Sequence, residues 1–314
     1  MISNLYIFIL YYLSIPMSLI GYGLFFFSIN KNLKISSSYG YAGLTGILIL
    51  SIYSYLSSFI IEHNQVHNLI ILIIGLISFF YFNFKWNNQN KYLLFFLAIY
   101  FIGYLIFKTH DDFPYYHFKY SYYLTQFSSV VGIGNFDLGY RTPSSIFYLN
   151  SLFYLPFVKY FMFQMTAFSI FLFSSIILID KIRKNTFNKN YDFFTYFYLL
   201  SFIFINIFFY RISEHGTDRS AQILILILIG EILFFVNFKS DIKRILSKLF
   251  ILISIIISLK AFYILYMIFF IIISYHLYKS YNPIKVLLYF LTNHYFNLLL
   301  ILFVLVLSVN FINS

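Results

Sequence analysis

The chain has 314 residues, of which 61% are hydrophobic and 10% charged, with a formal net charge of +11. Soluble domains carry about 25% charged residues, so this composition excludes an ordinary soluble domain. The absence of cysteine excludes disulfides and thiolate metal sites. The basic residues cluster in short loops between apolar runs, which is typical of a membrane protein and does not predict a nucleic-acid partner.

Four apolar runs precede the first long polar segment. The first run is too long for the hydrophobic part of a signal peptide and has no basic region before it, so we expect it to be retained as a helix. The other three also have the length of spanning helices. The predicted helices are Leu5–Phe27, Ala42–Ile61, Asn68–Phe84 and Tyr92–Phe107.

Seven further apolar runs follow, the first of them short. Because open sheet cannot face lipid, we predict an all-α, polytopic membrane helical bundle with about nine to eleven hydrophobic helices and interfacial helices in an outer loop. Residues 1–314 are expected to form a single integral membrane domain, in a short or C-terminally truncated protein. The seven runs are Ile146–Phe157, Tyr160–Ile179, Phe193–Tyr210, Ala221–Phe238, Leu249–Leu259, Ala261–Tyr278 and Val286–Phe311.

The positive-inside rule predicts the orientation of these helices. The best assignment places fourteen of the 21 basic residues in the cytoplasm and six outside, with Lys159 undecided. The N-terminus and both long polar loops are then outside, provided that residues 145–179 make one net crossing. Two crossings there would invert every later helix. The loops placed in the cytoplasm carry Lys31, Lys85, Lys181, Lys239 and Lys279.

An acidic pair, Asp111 and Asp112, lies in the polar segment THDDFPYYHF between two apolar runs. Carboxylates beside a bilayer are costly to desolvate, and membrane insertion does not require them. One carboxylate can act as a general base toward a hydroxyl, and two together can hold a hard divalent cation. The alternative is an acidic cap on the following helix. We favour a functional role, as a general base or as a metal-binding acid.

The residues after this pair predict an interfacial amphipathic helix. Tyr116, Tyr120, Tyr123 and Phe127 recur at spacings of four, three and four, which places them on one face. His117 could serve as a metal ligand or proton carrier, or it could simply be a polar residue at the interface.

Two features follow in the same segment. Residues 132–135, Gly-Ile-Gly-Asn, predict a tight turn, because neither a strand nor a phosphate-loop context surrounds them. Arg141 could bind a phosphate in bidentate fashion or reach the lipid headgroups.

The second polar segment, RISEHGTDRS, contains Asp218 and Arg219, and Asp218 is either a helix cap or a site residue. Lys260 separates two apolar runs, either as a tight outer turn that meets a lipid phosphate or as a snorkelling side chain in one bent helix. Glu231 lies within a predicted span, where it is either functional or close enough to the cytoplasm to reach water.

The layout resembles the GT-C class of membrane glycosyltransferases, which carry an acidic pair in an early outer loop followed by interfacial helices. The string DDFPYYHF…GIGN…SSIFYLNSLF, the ISEHGTD segment and the turn at Ser258–Phe262 are similar to a bacterial branch of that class, over roughly residues 90–280. The chain departs from that pattern because four helices, not one, precede the acidic loop.

The resemblance implies an enzyme of the cytoplasmic membrane that moves a sugar from a polyprenyl-phosphate donor to an acceptor on the outer face, with inversion. It implies Asp112 as general base with Asp111 beside it, and leaves open whether this pair holds Mg²⁺ or Mn²⁺. The implied partners are the lipid-linked sugar and membrane lipid; the oligomeric state is open. Candidate substrate-binding residues are His117, Arg141, Asp218, Arg219 and Lys260, of which the basic ones would stabilise the leaving phosphate.

Two other classes of function remain. In a transporter or flippase for a lipid or small anion, the polar loops would gate a path and Glu231 would be central. The chain could also be a non-catalytic membrane subunit.

Overall fold

The computed structural model describes residues 2–29, 38–83, 88–106, 108–187, 192–237 and 242–314. These residues form thirteen α-helices and no β-strand, which confirms the all-α prediction. The helices are α1 Ile2–Ile29, α2 Tyr39–Ser58, α3 Gln65–Phe82, α4 Asn88–Leu105, α5 Phe118–Gln126, α6 Ser145–Leu152, α7 Met165–Phe187, α8 Phe193–Phe208, α9 Gly216–Asn237, α10 Ile242–Leu259, α11 Ile268–Ser280, α12 Pro283–Leu291 and α13 His294–Asn313.

Seven helical stretches in the described part of the chain are long and apolar enough to cross a bilayer, which indicates a multi-pass membrane protein. They comprise α1, α2, α3, α7, α9, α11 and α13. The predicted helix count of nine to eleven was wrong, partly because short helices form within polar segments. The final run also divides in two, because the Asn293 side chain accepts a hydrogen bond from Tyr295 N and caps a new helix, α13.

The centre of the bundle consists of helices that are buried on every side. Every residue of α7 from Met165 to Leu178 is buried, and so is every residue of α10 from Ile245 to Leu259. A helix that is apolar all round has no face suited to water, so it lies inside the bundle.

Glycines let α1 pack closely against α2 and α3. A Cβ atom at Gly46 would overlap the carbonyl oxygen of Leu19, and one at Gly21 would overlap the carbonyl oxygen of Gly75. Small residues at such crossings allow two helix backbones to approach within the reach of dispersion forces, which is a major attraction between helices in lipid.

One helix in this region, α7, is long and apolar enough to cross a bilayer, which agrees in number with the single crossing that the predicted orientation needs. Helix α6 is short and fully buried, and it stays at one end of the bundle, where Ser145 Oγ lies 2.9 Å from Ser258 Oγ at the end of α10. Helix α7 then spans the bundle alone. Both long polar segments therefore lie at the same end, here called the loop end; the other is called the basic end.

Charge differs between the two ends. Among the described residues, the loop end carries seven basic and six acidic side chains, and the basic end carries nine basic and three acidic ones. Lys159 belongs to the loop end, in the turn between α6 and α7. The markers Lys31, Lys85 and Lys239 lie outside the described residues. The asymmetry is of the kind that the positive-inside rule associates with a cytoplasmic basic end.

Candidate functional site

Asp112 lies where the chain enters a π-helical turn, Phe113–His117. Asp112 occupies the N-cap position, where its charge is favourable for the helix dipole, but its side chain makes no capping hydrogen bond. Instead the Tyr116 hydroxyl donates to Asp112 Oδ2 at 2.9 Å, and the Asp112 backbone N–H donates to His110 Nδ1 at 3.1 Å. The Asp112 side chain is 47% exposed, so its carboxylate is positioned by these neighbours and still open to a ligand.

Two stacked histidines form the wall beside Asp112. The rings of His110 and His117 are nearly parallel, with centroids 5.8 Å apart, and the His117 ring also packs on Phe147 at 4.7 Å. Burial of His117, assisted by His110, lowers its pKa to about 4, although Asp112 and Asp218 oppose the shift. His117 is therefore neutral at pH 7 and can accept or donate a hydrogen bond there.

The second polar segment contacts the first beside these two histidines. The His110 backbone N–H donates to the Ser213 carbonyl at 3.1 Å. Gly216 adopts a positive φ of 51° at the start of α9, and a Cβ atom there would lie 3.6 Å from both His110 and His117. Residues about a hundred positions apart in the chain thus share one site.

Asp218 extends the site toward the junction of α10 and α11. It is the third residue of α9, and its carboxylate contacts side chains rather than capping the helix backbone. Lys260 Nζ donates to its two oxygens at 3.0 and 3.2 Å, and the Tyr263 hydroxyl donates at 2.6 Å. Lys260 is extended, so it breaks the helix rather than lying in one bent helix, and its ammonium meets Asp218.

The other carboxylate of the second polar segment, Glu214, is not part of this cluster. Glu214 is 7% exposed and contacts three cations: Arg219 at 2.7 Å, Arg211 at 3.0 Å and Lys108 at 3.3 Å. Burial by itself would raise the pKa of Glu214, but the ion pairs with Arg219, Lys108 and Arg211 outweigh it and lower the pKa. Arg219 is thus bound to Glu214 and not to Asp218.

Two other predicted site residues lie apart from the cluster. Asp111 is exposed and bonds to no other described side chain. Arg141 is also exposed, and its Nε–H donates to the Gly134 carbonyl at 3.4 Å. The described residues contain no group of three or more His, Asp or Glu side chains arranged for a metal ion, and Mg²⁺ or Mn²⁺ at Asp111 and Asp112 stays a prediction.

An apolar groove begins next to Lys260. It is a small, partly open depression between the end of α10, the 3₁₀ helix Ala261–Met267 and α13. Its lining is Ile257, Ala261, Ile264, Phe303, Val306, Leu307 and Asn310.

Three residues of the cluster were not recognised in the sequence as site residues. Tyr116 was assigned only to the apolar stripe, although its spacing of four from Asp112 is the helical spacing that brings two side chains together. Tyr263 and Gly216 left no usable signal, because their contacts with Asp218 and the two histidines join distant parts of the chain.

These features define an all-helical, multi-pass membrane protein with a half-exposed charged cluster at one end of its bundle. The chain belongs to the family described as a domain of unknown function, DUF8201, whose family model matches residues 5–312. No curated protein and no solved structure matches the chain.

Proposed function

We propose that this protein is a glycosyltransferase of the cytoplasmic membrane. It would move a sugar from a polyprenyl-phosphate donor to an acceptor hydroxyl at the loop end, on the outer face. The observation that carries the proposal is the convergence of two half-exposed carboxylates, Asp112 and Asp218, beside the buried His117, in one cluster built from two separate loops. A carboxylate held by hydrogen bonds and open to a ligand is a suitable general base.

The surroundings of Lys260 support a donor with a charged head and an apolar tail. Its side chain is 50% exposed, and the groove beside it is lined almost entirely by apolar side chains. A phosphate at the Lys260 ammonium would place an attached polyprenyl chain at the mouth of this groove. Arg219 pairs with the nearly buried Glu214, whereas Lys260 pairs with the half-exposed Asp218, so Lys260 is the more accessible of these two predicted phosphate contacts.

The proposed reaction is a single displacement. Asp112 accepts the proton of the acceptor hydroxyl as the oxygen forms a bond to the anomeric carbon of the sugar. The bond between that carbon and the phosphate oxygen breaks on the opposite face, and the configuration inverts. Lys260 stabilises the charge that develops on the leaving polyprenyl phosphate. His117, neutral at pH 7, orients the acceptor or the sugar by a hydrogen bond.

The amide variant of Asp112 tests the proposal. Asp112→Asn keeps the shape of the side chain and its bond to Tyr116 but removes the base, so transfer should fall by about a hundred- to ten-thousand-fold. The measurement is transfer of radiolabelled sugar from polyprenyl phosphate in membranes that contain equal amounts of each variant. Asp111→Asn is the matched control, since Asp111 is exposed and unpaired with other described side chains, and it should retain most activity.

Two outcomes would change the proposal. Loss of transfer in Asp111→Asn with full transfer in Asp112→Asn would reverse the two roles. Full transfer in the double amide would exclude the acidic pair from catalysis, and the transporter alternative would then be preferred. One observation favours that alternative: Glu231 is fully buried between two lysines in the helical core, which corrects the expectation that it reaches water.

A further inference from the structure

Residues 155–161, here called the α6–α7 turn, hold the backbone in an unusual conformation at the loop end. Phe157 and Lys159 have positive φ angles, 66° and 48°, which residues other than glycine rarely adopt. The Val158 N–H donates to the Pro156 carbonyl at 2.8 Å, two residues back, and closes a γ-turn around Phe157. The Lys159 N–H donates to the Leu155 carbonyl at 2.7 Å. The turn is therefore tight, with Phe157 at its tip.

Neighbouring helices fix both ends of the α6–α7 turn. The Asn68 side chain, from α3, donates to the Tyr154 carbonyl at 3.0 Å. The Tyr104 hydroxyl, from α4, donates to the Phe161 carbonyl at 3.2 Å. Val158, inside the turn, is buried. A strained backbone persists only where the surrounding structure holds it in place, and these contacts do so here.

The side chains that the α6–α7 turn exposes are aromatic or basic. Phe157 is 71% exposed, Phe161 55% and Tyr160 42%. Lys159 is also exposed, and it forms no ion pair with a carboxylate in the described part of the chain. The turn therefore presents a small aromatic surface with one positive charge in its middle.

The position of the turn in the chain indicates what covers this surface. The apolar stretch that can cross a bilayer begins at Tyr160 and continues through α7 to Phe187. The end of such a stretch is expected at the level of the lipid headgroups, where aromatic side chains are enriched. There the ammonium of Lys159 can pair with a lipid phosphate while phenyl rings reach the acyl chains.

We propose that the α6–α7 turn inserts into the leaflet at the loop end, with Phe157 and Phe161 among the upper acyl chains and Lys159 at a lipid phosphate. The Tyr160 ring packs edge-on against Phe118, with centroids 5.4 Å apart. Because Phe118 is the first residue of α5, insertion of the turn also fixes the height of α5 relative to the bilayer. This membrane contact does not depend on the proposed reaction.

The test is quenching of a single tryptophan placed in the turn. The chain has one tryptophan, Trp86, so Trp86→Phe gives a background without tryptophan. Phe157→Trp and Phe161→Trp are made separately in that background, and the full-length proteins are reconstituted in phosphatidylcholine nanodiscs, where both faces meet solvent. Phosphatidylcholine brominated in the upper acyl chain quenches tryptophan at that depth, and iodide quenches tryptophan in water. We expect both variants to lose fluorescence to brominated lipid and not to iodide.

Two further positions calibrate the quenchers in the same background. Ile77 is 64% exposed on the candidate spanning helix α3, so Ile77→Trp should be quenched by brominated lipid. Asn135 is an exposed polar residue of the loop end, so Asn135→Trp should be quenched by iodide. Because Phe157 and Phe161 are tested separately, the measurement survives if one substitution disturbs the turn.

The role of Lys159 is measured in the Phe157→Trp protein. Lys159→Glu places a negative charge against the lipid phosphate, so quenching by brominated lipid should decrease and quenching by iodide should increase. Lys159→Arg keeps the charge and should behave like its parent. Neither substitution introduces glycine or proline, so the two variants differ in charge and not in backbone freedom.

Three results would overturn the proposal. Quenching of both turn variants by iodide, as in Asn135→Trp, would place the turn in water. Resistance of both to either quencher would show that protein, such as a second copy of the chain, covers the turn. Undiminished quenching by brominated lipid in Lys159→Glu would exclude the contact with a lipid phosphate.

Discussion

At the residue scale, the two polar segments contain carboxylates in different surroundings. Asp112 and Asp218 each accept a hydrogen bond from a tyrosine hydroxyl and keep about half of their side-chain surface exposed. Glu214 is buried and bound by three cations. Removing one partner from a buried ion pair is costly, so Glu214 serves to hold the second segment against the bundle. The two half-exposed aspartates remain available for a ligand.

Buried histidines at the loop end predict loss of stability in acid. Burial lowers the pKa of His215 to about 4, with a smaller contribution from the charge of Arg219, and burial lowers that of His63 to about 3. Because the unfolded chain binds a proton on each residue below about pH 6.5 and the folded protein does not, stability is full above that pH and declines below it. Each histidine contributes at most about 1.4 kcal/mol per pH unit until its folded pKa is reached.

We therefore expect Tm to fall as the pH is lowered from about 7 to about 4.5. His215→Gln should flatten this decline, since it removes one of the protons taken up on unfolding. Asp111→Asn, at an exposed position, should leave the slope as in wild type. Thermal unfolding in detergent, followed by far-ultraviolet circular dichroism at each pH, measures how Tm depends on pH. An unchanged slope in His215→Gln would show that its imidazole is not buried in its neutral form.

At the scale of helices, close backbone packing predicts the effect of one added methyl group. Alanine has a higher helix propensity than glycine by about 1 kcal/mol, so Gly46→Ala in an isolated helix would be stabilising. In the bundle the new Cβ overlaps the Leu19 carbonyl, and α1 has to move away from α2. We expect a net destabilisation of about 1–3 kcal/mol, measured by unfolding in mixed micelles.

The control for this prediction is Ile77→Ala on α3, where the side chain is 64% exposed and should tolerate truncation. If Gly46→Ala were as stable as wild type or more so, the tight crossing of α1 and α2 would be wrong.

The sequence correctly predicted helices and turns that depend on a local pattern of residues. The stripe from Tyr116 to Phe127 does lie on a helical segment, with Tyr120 buried and Phe127 exposed at its end. The turn at residues 132–135 was also predicted, and Gly132 takes the positive φ of 76° that favours glycine. Both features depend on neighbouring residues, so their signal is local.

The sequence could not predict contacts between distant segments. Asp218 was considered a cap because it precedes an apolar run, yet its partners Lys260 and Tyr263 lie more than forty residues away. In the same way, Arg219 was a candidate for phosphate, and its pairing with Glu214 was not predicted. Packing decides which basic side chains remain available for a ligand. The spacing of residues in the sequence does not predict this.

At the scale of the whole molecule, the loop end is held together by distant parts of the chain. Asn313 at the end of α13 donates to the Tyr120 hydroxyl and to the Tyr140 carbonyl, each at 2.9 Å. The Gly132 N–H donates to the Ile312 carbonyl at 2.8 Å. The last turn of α13 thus fixes both helix α5 and the turn that follows it, and with them the approach to Asp112.

The proposed reaction depends on the loop end facing the outside of the cell, because the lipid-linked donor is used there. The chain has no cysteine, so single cysteines report their own positions without a background. Asn135→Cys places a thiol at an exposed position of the loop end, and Thr186→Cys places one at an exposed position of the basic end. In intact cells, a membrane-impermeant maleimide should label the first variant only, and both should react after the cells are broken. Labelling of Thr186→Cys but not of Asn135→Cys in intact cells would place Asp112 in the cytoplasm and contradict the proposed reaction.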